Sequence, residues 1–574
     1  MRRFSLITLI ALLPALYTFS SAAPHSPDPA CQPPDSLNLN PQQVHSLSVL
    51  GKVWGFLKYY HPHVADGRYD WDSVLIQKVQ LFVSFNSQQE INTGLSKWLT
   101  DLGGIDRCGK CKNDLPDSLH SWVDTAWMGQ SGFDAPLADK FRYILAHRQQ
   151  DARYYATHDK AWQVKTDHEK SYWTPAFAYP PAAWRLLTLF RYWNIVNYYA
   201  PYKGMTTQPW PNVLDEFVPA FYGVADTLNY QLLVLKLISR LDDSHTTLTL
   251  LPALINYFGA YRIVPFQCSI VNGKAIVSHL WNKTLCDSIG VKIGTVFISI
   301  DQETVNNKFA RVSQYIGASN DRVRLRQFAD YYLFAGHDSL CKAVVETAGG
   351  QQTVTFPRYN NGAPVFDHPD PANVPLPPCK ILDGNIGYVN MGVLGIRQVD
   401  SVMGLLKTTR AIIFDVRSYP RNTWPAVTKW LTDKEFILNR IYYPDFDYPG
   451  LFLPTYSRSD GGPRKNVYTG KVVILVDVNT QSHAEYSVMA LQAAAPRAVT
   501  IGNTTAGADG NITDWIMLPG GMRTRFSGLD IRYPDGGNTQ RKGVRIDIPF
   551  QPTERGLIEG RDELLEKAIQ YLSN

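Results

Sequence analysis

Lys471-Val-Val-Ile-Leu-Val-Asp-Val-Asn-Thr-Gln-Ser-His-Ala-Glu485 is the stretch on which the fold turns. Its first half is an apolar, β-branched run of the kind found in a strand covered on both faces. After a short polar loop, a helical pattern runs from Ser482 to about Ala495 and stops at Pro496. A strand that feeds a helix through a tight turn is the unit of an α/β sheet. Similar strands read at Asn385-Ile-Gly-Tyr-Val-Asn390 and Ala411-Ile-Ile-Phe-Asp-Val416, and a last amphipathic helix spans about Asp562 to Leu572. A Ser at such a junction meets the positive end of a helix, where free N–H groups can hold a developing oxyanion. Ser482-His-Ala-Glu485 also spells a capping box, with Ser at the cap and Glu three residues on. Local spacing alone favours the cap.

Working outward, residues 255–375 carry short strand-like runs such as Tyr261-Arg-Ile-Val-Pro, Ala275-Ile-Val-Ser and Thr295-Val-Phe-Ile-Ser-Ile-Asp301. Gly290 to Asp301 resembles the central segment of a PDZ-like domain, and a Pro-rich linker follows from Pro369 to Pro378. Residues 181–254 read as mostly helical, with Pro219 an expected break. Further back, Val53-Trp-Gly-Phe-Leu-Lys-Tyr-Tyr-His-Pro62 matches Tyr192-Trp-Asn-Ile-Val-Asn-Tyr-Tyr-Ala-Pro201. Trp54 and Trp193 lie 139 positions apart, as do Trp71 and Trp210, which reads as a duplicated helical unit. His61, His63, Asp70 and Asp72 read as a polar helix-end loop rather than a metal site.

Residues 24 to about 45 are rich in Pro, Ser and Asn and read as a flexible leader. Before them, Arg2-Arg3, the apolar run Leu6–Leu16 and the small residues Ser20-Ser-Ala-Ala23 have the layout of a cleaved secretory signal, with cutting after Ala22. The run is shorter than the roughly 20 apolar residues of a span. The expected location is exported, periplasmic or extracellular. The 574 residues carry a net charge of +5, too weak and dispersed for a nucleic-acid partner. Of seven Cys, Cys108-Gly-Lys-Cys111 has zinc-like spacing but no second such pair, so a structural disulfide or loop cluster is expected. No metal or other cofactor is expected.

The order of these segments is similar to that of the tail-specific, or C-terminal-processing, serine peptidases, which include the tricorn core protease. The resemblance covers roughly residues 180–574. It rests on Leu241-Asp-Asp-Ser-His-Thr246, Ile412-Ile-Phe-Asp-Val-Arg417, Thr480-Gln-Ser-His-Ala-Glu485, Ile501-Gly-Asn-Thr-Thr-Ala-Gly507 and the closing Gly543-Val-Arg-Ile-Asp-Ile-Pro-Phe. With the signal peptide 1–22 and a mostly helical N-terminal domain 23–175 read from the residues, the expected architecture is multidomain α/β: a helical domain 176–254 partly repeating the first and, as the resemblance implies, a PDZ-like domain 255–375 and a crotonase-like catalytic domain 376–574. The resemblance implies Ser482 as nucleophile. One branch places a lysine base after the Gly-x-x-Thr-x-Gly turn, where this chain has Ala508-Asp509. The tricorn-like branch uses a His with a Ser beside it, matched by Ser244-His245, and His483 is a lesser candidate base.

That branch also has a Glu where this chain has Gln540, which can orient an imidazole but not balance its charge. The acid role could then pass to Asp243, Glu485 or Asp509. The oxyanion donors implied are the N–H groups of His483 and Arg421, the latter in a loop without the family's glycines. The expected activity is an exported serine endopeptidase acting on peptides or unfolded proteins presented by the PDZ-like domain, with cell-envelope association open and oligomeric state unassigned. The alternatives are a catalytically impaired peptide- or glycan-binding protein on the same scaffold, favoured by Gln540, and a hydrolase of esters or glycans. No isolated carboxylate pair supports glycoside hydrolysis.

Overall fold

The computed structural model describes residues 38–115, 123–151, 154–360, 377–459, 461 and 467–574. The expected signal peptide, Cys31 and all but the last two residues of the Pro-rich linker lie outside the described residues. The chain forms a mixed α/β architecture of three packed regions. The first is helical: α1 Pro41–Tyr60, α2 Trp71–Phe82, α3 Gln88–Asp101, α4 Ala135–Ala146, α5 Ala182–Tyr199, α6 Trp210–Gly223 and α7 Thr227–Ser239. Helix α1 starts inside the stretch expected to be a flexible leader. Asn40 caps it, accepting from the Gln43 N–H at 2.9 Å while the Gln43 side chain accepts from the Asn40 N–H at 2.9 Å. Pro219 does not end α6. Buried Phe217, Val218 and Phe221 hold that helix together across the single backbone donor the proline lacks.

Helices α1 and α5 cross so closely that a side chain at Gly55 would collide with Asn194, whose amide donates to the Gly51 carbonyl at 2.9 Å. The two passages with the 139-residue offset build the same clasp. Trp54 Nε1 donates to the Trp71 carbonyl at 2.9 Å and Trp71 Nε1 to the Trp54 carbonyl at 3.0 Å. Trp193 and Trp210 repeat this at 3.0 and 3.1 Å. Between the copies lie four charges. Arg191 pairs with Asp72 at 2.5 Å and with Glu169 at 2.8 Å, and Glu169 also pairs with Lys58. Two cations face two anions, so no net charge is buried.

The second region is an antiparallel sheet. Its strands are β2 Phe266–Val271, β3 Lys274–Leu280, β4 Val296–Ile300, β5 Leu340–Thr347 and β6 Gly350–Pro357, in the order β6-β5-β4-β3-β2. Helices α8 Val305–Val312 and α9 Asp321–Tyr331 join β4 to β5. Ahead of it, the two residues of β1, Thr247–Leu248, leave this region altogether.

The third region holds a six-stranded sheet of β7 Cys379–Leu382, β8 Ile386–Asn390, β9 Ala411–Asp415, β12 Lys471–Val476, β13 Val499–Gly502 and β17 Ile548–Pro549, in that spatial order. The β7–β8 pair is antiparallel and the rest are parallel. Alternation along the strands divides the core. Ile412, Phe414, Ile474 and Val476 pack beneath α10 Val399–Leu406, α11 Trp424–Leu431 and α12 His483–Ala494. Ile413, Val473 and Leu475 face α13 Glu563–Ser573 on the other side. Two smaller sheets complete it: β11 Phe452–Ser459, β10 Phe436–Pro444 and β16 Asp530–Arg532; and β14 Ile516–Leu518, β15 Met522–Arg525 and β1. Cys108 and Cys111 form a disulfide, and no helix among the described residues is long and apolar enough to cross a membrane.

Removing one member of the buried charge cluster leaves another uncompensated. Glu169→Gln is expected to lower unfolding free energy by about 3–5 kcal/mol, read by urea denaturation. A loss below about 1 kcal/mol would show that the cluster is not a stability element.

Candidate active site

The parallel strand β12 ends at Val476, and six residues later the backbone makes the turn that the site is built on. Ser482 has φ +58° and ψ −121°, a conformation that side-chain-bearing residues avoid, and the helix α12 begins at once. Such a backbone costs about 1–3 kcal/mol and persists only where its surroundings enforce it. Those surroundings are visible. Thr480 Oγ1 donates to the Val416 carbonyl at 3.0 Å, and the Asp477 N–H donates to Thr480 Oγ1 at 3.1 Å. Arg326 of α9 donates to the Val478 carbonyl and to Gln481 Oε1, both at 2.7 Å.

Glu485, fully buried one turn into α12, closes the turn from inside. Its carboxylate accepts from Ser482 N–H at 3.2 Å, Thr505 Oγ1 at 2.5 Å, Gly507 N–H at 2.8 Å and Ala508 N–H at 3.0 Å. Burial pushes its pKa up, while these donors pull it back. Glu485 therefore ties the Ser482 turn to the 505–508 loop, with its oxygens committed to three backbone N–H groups and the Thr505 hydroxyl. Beside it Asp509 is buried, and neither of its carboxyl oxygens has a hydrogen-bond partner among the described residues. Burial, and then the Glu485 carboxylate, drive the Asp509 pKa well above the ordinary range.

His245 sits at the end of the helical region, in the segment whose next residues form β1 and pair with β15. Gln481 Nε2 reaches the Ser244 carbonyl at 3.5 Å, so the loop before Ser482 touches the segment before His245. The His245 ring is 10% exposed, and its Nδ1 lies 2.8 Å from Ser527 Oγ. Ser527 Oγ donates its only hydrogen to Asp243 Oδ1 at 2.9 Å. It must therefore accept from His245 Nδ1–H, and this network leaves Nε2 as the proton acceptor. Asp243 is itself fixed by the N–H groups of Ser527 at 2.6 Å and His245 at 3.1 Å. Burial lowers the His245 pKa, Asp243 raises it and Arg525 lowers it, with a net fall that keeps the ring neutral near pH 7.

The other sequence candidates fall elsewhere. Ser244 bonds Ser319, accepting from its N–H at 2.8 Å. Gln540 reaches Asp243 and Ser319, each at 3.5 Å, and makes no hydrogen bond to the imidazole it was expected to orient. Ser527 takes that place. The Arg421 guanidinium lies exposed on the Gly392 carbonyl at 3.2 Å, a side-chain contact that leaves the expected role of its N–H untouched. The His483 ring lies parallel to that of Tyr486 at 6.4 Å between centroids, with Nε2 buried and unpartnered among the described residues. The Tyr419 ring stands beside it, with the two centroids 6.1 Å apart, and burial pushes the Tyr419 pKa up. Tyr419 and Ser527 escaped the sequence reading. Tyr419 lies inside the quoted Arg417-Ser-Tyr-Pro loop, whereas Ser527 belongs to no motif. No group of His, Cys, Asp and Glu among the described residues could hold a metal ion.

Residues 385–550 match the family model of peptidase family S41. No curated protein matches the sequence. Among solved structures, mature CPAF complexed with lactacystin superposes with a TM-score of 0.52 at 14% identity, over 68% of this chain and 98% of that one. The photosystem II D1 C-terminal processing protease gives 0.37 at 17% identity, over 66% and 98%. The tricorn protease gives 0.32 at 12% identity, over 68% and 37%. At these identities the CPAF likeness is one of fold.

Glycine adopts the Ser482 backbone without strain, so Ser482→Gly is expected to unfold at higher urea than Ser482→Ala, by about 1 kcal/mol or more. Equal stabilities would remove strain from the account. For Asp509, a raised folded-state pKa costs stability as pH climbs past the unfolded value of 3.8. Asp509→Asn should therefore gain on the wild type at pH 8 relative to about pH 4. A difference independent of pH would contradict the carboxyl's burial penalty.

Proposed function

We propose that this chain, whose residues 385–550 match peptidase family S41, is a serine-type peptidase with Ser482 as its nucleophile and His245 as its general base. The observation that carries the reading is the strained Ser482 backbone, on a loop that touches the segment of an imidazole whose Nε2 is left free to accept a proton. His245 Nε2 takes the Ser482 proton, and Oγ bonds the substrate carbonyl carbon. The oxyanion is held by the His483 N–H at the start of α12, with the Arg421 N–H as second donor. Collapse breaks the C–N bond, His245 protonates the leaving amine, and water releases the acyl group by the reverse path.

The impaired-binder alternative rests on Gln540, which cannot balance an imidazolium. Asp243 answers it, since a carboxylate linked through one hydroxyl still faces the ring at 3.9 Å. The sheet of residues 266–357 is read as the PDZ-like presenter of an extended peptide. Support comes from β2, which ends the sheet and lies beside α9. Export is supported by the N-terminal Arg2-Arg3 and Leu6–Leu16 pattern and agrees with the Cys108–Cys111 disulfide.

A fluorophosphonate probe is expected to label the wild type at Ser482 and to leave Ser482→Ala unlabelled. His245→Ala should lower kcat/KM by roughly 10²–10⁴-fold. The acid limb of kcat/KM should titrate below 6.5, because burial depresses His245. Absent labelling, or an acid limb above that value, would sink the pair.

A further inference from the structure

Beyond the acyl-transfer groups, one face of β15 carries a feature the mechanism leaves unused. Alternation places Arg523, Arg525 and Ser527 on the same face, while Met522, Thr524 and Phe526 turn into the core. Ser527 is the hydroxyl that holds His245. On the neighbouring strand, Thr247 pairs directly with Arg525, which puts His245 on the same face one step along. On the other side, Trp515 stands beside Arg525, next to the Ile516–Thr524 pair. The Trp515 ring is shared by both cations, with the Arg525 guanidinium 4.7 Å and that of Arg523 4.6 Å from the ring centroid.

A half-buried guanidinium normally faces an acid. Among the described residues, neither Arg523 nor Arg525 is in an ion pair, whereas Arg324, Arg417, Arg532 and Arg541 each are. Arg523 Nε donates to Thr249 Oγ1 at 3.0 Å. Arg525 Nε is buried and has no hydrogen-bond partner among the described residues. Burial and then Arg523 pull Arg525 below its ordinary pKa, so the pair forms a cationic spot short of an anion. Trp515 fixes the two planes and makes the spot rigid.

We propose that Arg525, stacked on Trp515 and backed by Arg523, is a carboxylate-binding subsite beside His245, which selects substrates with a carboxylate on the leaving-group side of the scissile bond. The proposal rests on the peptidase reading, because the general base faces the leaving amine and its neighbours contact the residues that depart with it. The shared chemistry is a carboxylate, either an Asp or Glu side chain or the free C-terminus of a short peptide. Arg suits it, since its planar fork engages both oxygens at once.

The test uses the full-length protein and internally quenched peptides that differ only at the two positions after the cut. Peptides with Glu or Asp there should be cleaved with kcat/KM about tenfold or more above their Gln or Asn isosteres. Within Arg525→Gln that ratio should fall towards one, and Arg525→Glu should invert it in favour of Lys. Taking the ratio within each variant cancels any general effect on His245. Each peptide is also run as free acid and as C-terminal amide. Preference that follows the terminal acid, with interior residues indifferent, identifies the chain end as the source. An active wild type that is indifferent to both carboxylates overturns the proposal. If no peptide is cut and Ser482 resists the fluorophosphonate, the peptidase reading is what has failed. Fluorescence anisotropy of a fluorescein-tagged Glu-Glu peptide against its Gln-Gln isostere then decides the subsite. Tighter binding of the acidic probe that is lost in Arg525→Gln supports it, and equal binding overturns it.

Discussion

The Asp243 carboxylate is the point at which distant parts of the chain are made to meet. It takes hydrogen bonds from the His245 backbone, from both the backbone and hydroxyl of Ser527, and at longer range from Gln540. A buried carboxylate without donors is expensive, so its location dictates that of every donor. That requirement draws the end of the helical region into the sheet formed by β1, β14 and β15. The imidazole inherits its position and its tautomer from the same contact. Without Asp243, His245 would be a surface-loop histidine on a different module from Ser482.

Glu485 solves a similar problem for the Ser482 turn, with a differently bonded carboxyl next door. Its four donors come from the segments that must stay fixed, so the burial cost is offset by order where order is needed. Asp509 lies close by with no such donors, and its environment favours the neutral acid. Two carboxyls of the same site thus diverge through their hydrogen bonds rather than their depth. The strained Ser482 turn is the element these contacts stabilise, since nothing in its own backbone would choose that shape.

Much of this was legible in the chain. The apolar runs Ala411–Val416 and Lys471–Asp477 became parallel strands, because uniform apolar character marks strands covered on both faces. The Ser482–Glu485 spacing foretold a helix start and a carboxylate folded back on it. The tryptophan offset announced a repeated contact. Other features were hidden for definite reasons. Ser527 is an ordinary serine until a strand pairing hundreds of residues away brings it to His245. Gln540 sat where an imidazole partner was expected, yet the ring had already found a hydroxyl. Helix α1 began early because a cap and Pro41 overrode a composition that suggested disorder. Pro219 stayed helical because burial on both sides outweighed one missing donor.

The reciprocal indole contacts carry a consequence for how this sequence can drift. In each clasp, every tryptophan is at once the donor to its partner's carbonyl and the owner of the carbonyl its partner needs. Replacing one ring deprives a buried carbonyl of its donor and opens a large void, while the surviving indole keeps its own bond. Because each bond ends on a backbone carbonyl that any residue supplies, the second change costs about as much as the first. Each clasp therefore erodes in two separate steps, and each step carries the full cost of one buried ring.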